Sequence, residues 1–309
     1  MSWNESLDPQ LLLAEGHINT NKQQRDYMKT AILTGANSGI GKQTAQALAG
    51  NGYQVVMICR NRDKAENARR EIIDETGNDR IDILICDLSS MHQIKETAET
   101  IRGTYSQIDR LVNNAGILPD GDRKETDEGL ELTFAVNHMA YFLLTRELMP
   151  LLESTPGSRV INVASDASRS GTFNPDNLQL QSGYSTMKAY GNSKLFNIMF
   201  TRQLAKEIDG KDITTYSLHP GVVNTNFAAD SDSWFARFFD LGRLFMRSPE
   251  KGAETSVYLC LEEGIEHLSG SYFRDKKPVK PVNEALSEGD CKKLWEMSEE
   301  ILEQVFSEI

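Results

Sequence analysis

Residues Thr34 to Gly41 read Thr-Gly-Ala-Asn-Ser-Gly-Ile-Gly. An apolar run, Ala31-Ile32-Leu33, leads into them, and a helix-like run, Lys42 to Leu48, leads out. No other stretch restricts the fold as strongly, because strand, glycine-rich turn and helix form the setting in which glycines bind a phosphate. Gly35 allows the tight turn, Gly39 lets the backbone approach a pyrophosphate, and Gly41 lets the new helix pack closely on the sheet. The helix N-terminus then offers free N–H groups and partial positive charge to an anion. The spacing is G-x-x-x-G-x-G rather than G-x-G-x-x-G. By itself, the turn therefore leaves a plain strand-to-helix connection open.

The rest of the chain keeps the alternation going. Val55–Cys59, Ile81–Cys86, Ile108–Val112, Arg159–Val163 and Thr214–Leu218 read as strands. Lys64–Thr76, Met91–Tyr105, Leu130–Leu152 and Ser185–Ile208 read as helices between them. Such alternation implies right-handed βαβ units and a parallel sheet. Residues 1–28 read as an N-terminal extension, and 29–309 as a single domain. The net charge of −12 argues against a nucleic-acid partner, which wants a basic face. No run approaches the roughly 18 apolar residues of a membrane span. The first 28 residues are polar apart from Leu11-Leu12-Leu13-Ala14 and carry no signal-peptide core. Cys59, Cys86, Cys260 and Cys291 lie too far apart for metal-ligand spacing and read as free thiols in a reducing compartment. A cytoplasmic protein with no metal site is expected.

Short signatures fall at the ends of these strands. Asp87 follows the third, Asn113-Asn114-Ala115-Gly116 the fourth, Ser165 the fifth, and Pro220-Gly221 the sixth. Asn137 lies inside the long apolar helix, and Tyr190-x-x-x-Lys194 on the next. Together they resemble the short-chain dehydrogenase/reductase family, from about Lys29 to Phe273. Ala189 to Leu195 and Leu294 to Ser298 look like its retinol dehydrogenase-like branch. The resemblance implies a doubly wound (Rossmann) α/β fold, a mostly parallel seven-stranded sheet with helices on both faces. It also implies hydride transfer between a nicotinamide and a carbonyl or alcohol.

The family's roles fall on matching positions. Gly35, Asn37, Ser38, Gly39, Ile40 and Gly41 would line the dinucleotide phosphates. Asp87 would accept from the adenine amine beside Leu88, although a carboxylate there could equally cap the next helix. Asn114, Ala115 and Gly116 would run under the cofactor. Pro220, Gly221, Val223 and Thr225 would fix the nicotinamide. Asn137 would link the active-site lysine to solvent through a water, or make a structural hydrogen bond. Tyr190 would exchange the proton with the substrate oxygen, Ser165 would bind that oxygen, and Lys194 would hold the ribose. Tyr190 and Lys194 share a helical face, and a neighbouring ammonium together with the oxidised nicotinamide should lower the phenol pKa. Tyr184-Ser185-Thr186-Met187-Lys188 fits the same Tyr-x-x-x-Lys pattern. Ser193 before Lys194 and the apolar helix beyond it favour the second pair, placing Tyr184 at the loop-to-helix junction.

Arg60 follows the second strand, where NAD enzymes place an acid on the ribose 2′-hydroxyl. An arginine there suits a 2′-phosphate, so NADP (NADPH) is the expected cofactor, with NAD the alternative. Residues 226–250 lie where the family carries its substrate lid, and they are rich in large apolar side chains, including Phe227, Trp234, Phe238 and Phe239. A lipophilic substrate, retinoid-like or a long-chain aldehyde or alcohol, is expected. Core completion, a subunit contact and docking on a membrane surface are the other readings of that segment. The family's habit of pairing through long helices points to a homodimer or tetramer. The competing functional class is a non-catalytic dinucleotide sensor on the same fold.

Overall fold

The computed structural model describes residues 28–222, 247–282, 285 and 287–307. In chain order the main elements are β1 (Thr30–Thr34), α1 (Gly39–Gly50), β2 (Gln54–Cys59), α2 (Arg62–Thr76), β3 (Ile81–Ile85) and α3 (Met91–Thr104). There follow β4 (Arg110–Asn113), α4 (Leu132–Phe134), a π-helical turn (Ala135–Met139), α5 (Ala140–Glu153) and β5 (Ser158–Val163). The remainder comprises α6 (Thr186–Glu207), β6 (Ile213–His219), α7 (Pro249–Leu261), β7 (Tyr272–Arg274), β8 (Lys277–Val279) and α8 (Glu288–Ser307).

The strands form one sheet in the order β3-β2-β1-β4-β5-β6-β7-β8. Every pairing is parallel except β7 with β8. The sheet therefore has eight strands rather than the expected seven. The additional strand turns back from β7 through Asp275 and Lys276, whose φ angles are +50° and +62°. Strand order reverses between β1 and β4, which opens a crevice at their carboxyl ends.

The strands are near-continuous apolar runs because both faces are covered. Val55, Met57 and Cys59 of β2 point into one core, and Val56 and Ile58 into the other. Helix ends are set locally. Asn61 caps α2 by accepting from Lys64 N at 2.9 Å, and Gly77 closes that helix in the left-handed region at φ +70°. Ser185 caps α6 by accepting from Lys188 N.

The helix expected over Leu130–Leu152 begins at Leu132 and is interrupted by the π turn. Asn137 and His138 sit in that turn, 0% and 1% exposed. Phe134 and Phe196 pack on the His138 ring with centroids 5.4 and 5.6 Å away. His138 Nε2 lies 3.0 Å from Ser298 Oγ of α8. Because that hydroxyl donates to the Leu294 carbonyl, its oxygen accepts the Nε2 proton. Nearby, Trp295 of α8 stacks on Phe200 of α6 and meets Phe142 of α5 edge-on. Helix α8 thus lies across both long helices.

Burial pushes His138 down to about 3 from its usual 6.5. Between those pH values the unfolded chain binds a proton there that the folded chain does not. Stability should therefore fall as pH drops below 6.5, by up to about 1.4 kcal/mol per pH unit from this group. Urea midpoints measured from pH 7 to pH 4 should show a shallower acid slope for His138→Leu than for wild type.

Candidate active site

The glycine turn leaves β1 at Thr34 and enters α1 at Gly39. Gly35 and Gly39 take φ values of +66° and +54°, where a side chain is strained. A Cβ on Gly41 would lie 2.3 Å from the Gly35 carbonyl oxygen and 2.4 Å from Asn114 Nδ2. Glycine is therefore required there by close approach. Ser38 is the N-cap residue of α1, yet its side chain makes no capping hydrogen bond, and no acid stands in the first turn. The positive end of the helix thus stays available to a bound anion, with Asn37 and Ile40 half-buried beside it.

Asn114 clasps this turn to the end of β4. Its side-chain amide donates to Thr34 O at 2.9 Å and Gly35 O at 3.3 Å. Thr34 Oγ1 accepts the backbone N–H groups of Asn114 and Ala115, at 2.9 and 3.0 Å. The backbone from Asn114 through Gly116 is thereby held against the glycine turn. Next door, Asn113 Nδ2 bridges Thr145 Oγ1 and Asn162 Oδ1, tying β4 to α5 and β5 inside the core.

Asp87 Oδ1 accepts from the Ser89 amide at 2.9 Å and from its hydroxyl at 2.7 Å. Ser90, rather than Asp87, caps α3 by accepting from Gln93 N. The Leu88 side chain is buried in the core. Arg60 is exposed just past β2 and has no hydrogen-bond or ion-pair partner among the described residues. Pro220 and Gly221 follow β6, with Gly221 at φ +90° and the Arg247 side chain packed on its Cα. Val223 and Thr225 lie outside the described residues, as does most of the expected lid. Of residues 226–250, Pro249 and Glu250 open α7.

The four residues expected to carry chemistry converge at the carboxyl ends of β4 and β5. Asn137 Oδ1 accepts from Ile117 N at 2.7 Å, and its amide donates to Ile117 O and Ser193 Oγ, each at 3.0 Å. The structural-hydrogen-bond reading of Asn137 is therefore satisfied in full on these three contacts. Lys194 is 3% exposed and donates from Nζ to the Val163 carbonyl at 3.0 Å. That ammonium lies 5.6 Å from the Tyr190 ring centroid and 5.9 Å from that of Tyr141. Ser165 lies two residues past β5, at the cap of the turn Asp166–Ser170, and its hydroxyl reaches Tyr190.

Burial pushes the Tyr190 phenol up to about 12, against a smaller lowering by the Ser165 hydroxyl. Desolvation also pushes Lys194 down to about 7, so the protein alone favours the neutral forms of both groups, and the expected fall needs the charge of the oxidised nicotinamide as well. Tyr184 and Lys188 do not share a helical face, because α6 starts at Thr186. Tyr184 stands just before the helix, beside the Thr133 and Thr186 hydroxyls.

Thr34, Tyr141 and Ser193 act in this site without having been singled out for these contacts. Tyr141 donates to the Ala115 carbonyl at 2.8 Å and lies beside Tyr190 and Lys194. It follows Asn137 by one helical turn, and a polar tip at that spacing was the available signal.

A family model described as short chain dehydrogenase matches residues 29–235. The chain belongs to the short-chain dehydrogenase family. It is an oxidoreductase acting on C–OH or C=O groups. It is 38% identical over 293 residues to mouse retinol dehydrogenase 11, spanning 94% of this chain and 91% of the relative. Human retinol dehydrogenase 12 is 39% identical over 274 residues, 89% and 86% of the two chains. A solved structure of an uncharacterised protein from Mycobacterium paratuberculosis superposes with a TM-score of 0.71 at 29% identity, covering 88% of this chain and 92% of that one. An Escherichia coli short chain dehydrogenase complexed with NADPH shares the fold, with a TM-score of 0.64 at 23% identity over 79% and 95% of the chains.

Gly41→Ala should cost about 1–3 kcal/mol through overpacking against Gly35 and Asn114. Its melting temperature should drop and dinucleotide binding, followed by fluorescence titration, should weaken at least tenfold. A variant that binds like wild type would show that the turn relaxes freely.

Proposed function

We propose that this enzyme is an NADP(H)-dependent oxidoreductase acting on a lipophilic carbonyl or alcohol, retinoid-like or a long-chain aldehyde or alcohol. The observation that carries the reading is the convergence of Ser165, Tyr190 and buried Lys194 beside a glycine cradle closed by Asn114. The cradle fits a dinucleotide: Gly41 leaves no room for a Cβ, and the start of α1 is uncapped by any side chain. Relatives named as retinol dehydrogenases support the substrate class. Structures of family members with NADP or NADPH support the cofactor. A sensor would have no use for a lysine held 3% exposed next to a phenol, given what that burial costs.

When bound, the nicotinamide supplies or accepts the hydride. Gly35 to Gly41 and the N-terminus of α1 would hold its pyrophosphate, and the exposed Arg60 fork would take a ribose 2′-phosphate. Lys194 would donate to the ribose hydroxyls while its Val163 contact keeps Nζ in place. The Ser165 hydroxyl would bind the substrate oxygen and stabilise the charge developing on it. Tyr190, whose burial keeps it protonated at neutral pH, would give its phenolic proton to that oxygen during reduction and take it back during oxidation. Asn137, fixed on Ile117 and Ser193, would hold the Lys194 side of the site in register.

Tyr190→Phe should lower kcat at least a thousandfold in a panel of retinal and C6 to C12 aldehydes, with NADPH affinity within threefold of wild type. Tyr184→Phe should keep most of kcat; a dead Tyr184→Phe beside an active Tyr190→Phe would reverse the assignment. Arg60→Asp should move the ratio of kcat/KM for NADPH over NADH down by about 100-fold or more, the loss of a charge-assisted contact of about 3 kcal/mol. An unchanged ratio would remove Arg60 as the phosphate reader.

A further inference from the structure

The residue after Ser165 is bound on every side by groups that none of the roles above employs. Asp166 opens the short helical turn Asp166–Ser170 that Ser165 caps, with Ser165 Oγ accepting from Ala167 N at 3.2 Å. Its carboxylate accepts from Tyr272 OH at 3.0 Å and from Arg274 Nη2 at 2.8 Å, both from β7. Its backbone N–H donates to Nδ1 of His219 at 3.2 Å. His219 ends β6, immediately before Pro220 and Gly221, and its Nε2 lies 3.8 Å from Asp166 Oδ2. The last residue of β6 and the two end residues of β7 therefore fix the main chain one residue beyond the active-site serine.

A backbone N–H can only donate, so Nδ1 of His219 must be bare and the ring proton must sit on Nε2, toward the Asp166 carboxylate. A second proton on Nδ1 would set one N–H against another. We infer that His219 and Asp166 are a positioning pair, with neutral His219 holding the Asp166 main chain so that the Ser165 hydroxyl faces Tyr190. This rests on the functional reading above. Around the imidazole stand Asp166, Arg274 and Tyr272, the Asp275 carboxylate of the β7–β8 turn, and the Arg247 guanidinium before α7. Burial holds the imidazole below its ordinary 6.5; Arg274 and Arg247 reinforce this, and Asp166 and Asp275 oppose it. The pair is thus intact at neutral pH and comes apart on acidification. Ser165 then loses its aim while the dinucleotide cradle is untouched, so kcat falls on the acid side and cofactor affinity does not.

Three variants separate aim from bulk. Asn at position 219 keeps an acceptor at the Nδ1 position with no titrating group; Leu fills the space without an acceptor; Gln carries its polar atoms one methylene further out. His219→Leu and His219→Gln should lose at least tenfold in kcat, with KM for NADPH within twofold of wild type and melting temperatures monitored alongside. His219→Asn should keep most of kcat and flatten the acid limb below pH 6.5. Nitrogen-15 NMR of labelled wild-type histidine should show His219 unprotonated at Nδ1 and protonated at Nε2 at pH 7. Equal loss in Asn and Leu variants, wild-type kcat in the Leu variant, or a proton on Nδ1 would each overturn the inference. A wild type that turns over no carbonyl or alcohol would instead overturn the functional reading, and the NMR tautomer would still decide the His219 contact.

Discussion

The clasp made by Asn114 at the point where strand order reverses is the contact on which the site depends. A parallel sheet diverges there, and two loops leave β1 and β4 for opposite faces. One side chain and one threonine hydroxyl close that divergence with four hydrogen bonds to Thr34 and Gly35. The close packing of Gly41 is meaningful only because Asn114 stands against it. The same strand end sends Asn113 the other way, into Asn162 and Thr145, and Asn162 continues to Thr201 of α6 at 3.0 Å. Two adjacent asparagines therefore register the cradle with the helix that bears Tyr190 and Lys194. Asn113 and Asn162 are wholly out of water and Asn114 is half-buried, so a misplaced partner in the core would leave unpaired polar groups, and that part of the arrangement has little freedom to drift.

Much of this was readable in the sequence, for reasons that differ residue by residue. Gly35 to Gly41, Ser165, Tyr190 and Lys194 announce themselves because backbone geometry or chemistry admits few substitutes and the spacing is local. The position of Tyr184 ahead of the helix and of Tyr190 within it was also legible, since an apolar helix continues past Lys194 and a glycine precedes Tyr184. Strand β8 was not: three residues after a two-residue turn give no periodicity to count. Nor was the π turn, because a helix that widens for one turn keeps an apolar pattern on both sides.

The direction of the Tyr190 shift shows a different limit. Sequence spacing places an ammonium near the phenol, and charge alone argues for a lowered pKa. How deeply both groups are buried is a property of the whole fold, and here burial raises the phenol and lowers the amine. The His219 contact lay beyond reach for a similar reason. It joins residues 53 positions apart through a ring nitrogen and a main-chain amide, and no motif encodes which ring nitrogen is bare.

Helix α8 has a consequence for the order in which this molecule can be completed. The turn that carries Asn137 is braced on its far side by Ser298, 160 residues later than His138. A ribosome has already extruded the entire sheet before that brace exists. Until then the His138 ring nitrogen has no acceptor, and the aromatic surface of Phe142 and Phe200 lacks the indole that covers it. The nucleotide cradle can assemble early from β1, α1 and β4. The turn that carries Asn137 waits for the last described helix, so the glycine turn and its Asn114 clasp can stand well before the far side of that turn is braced.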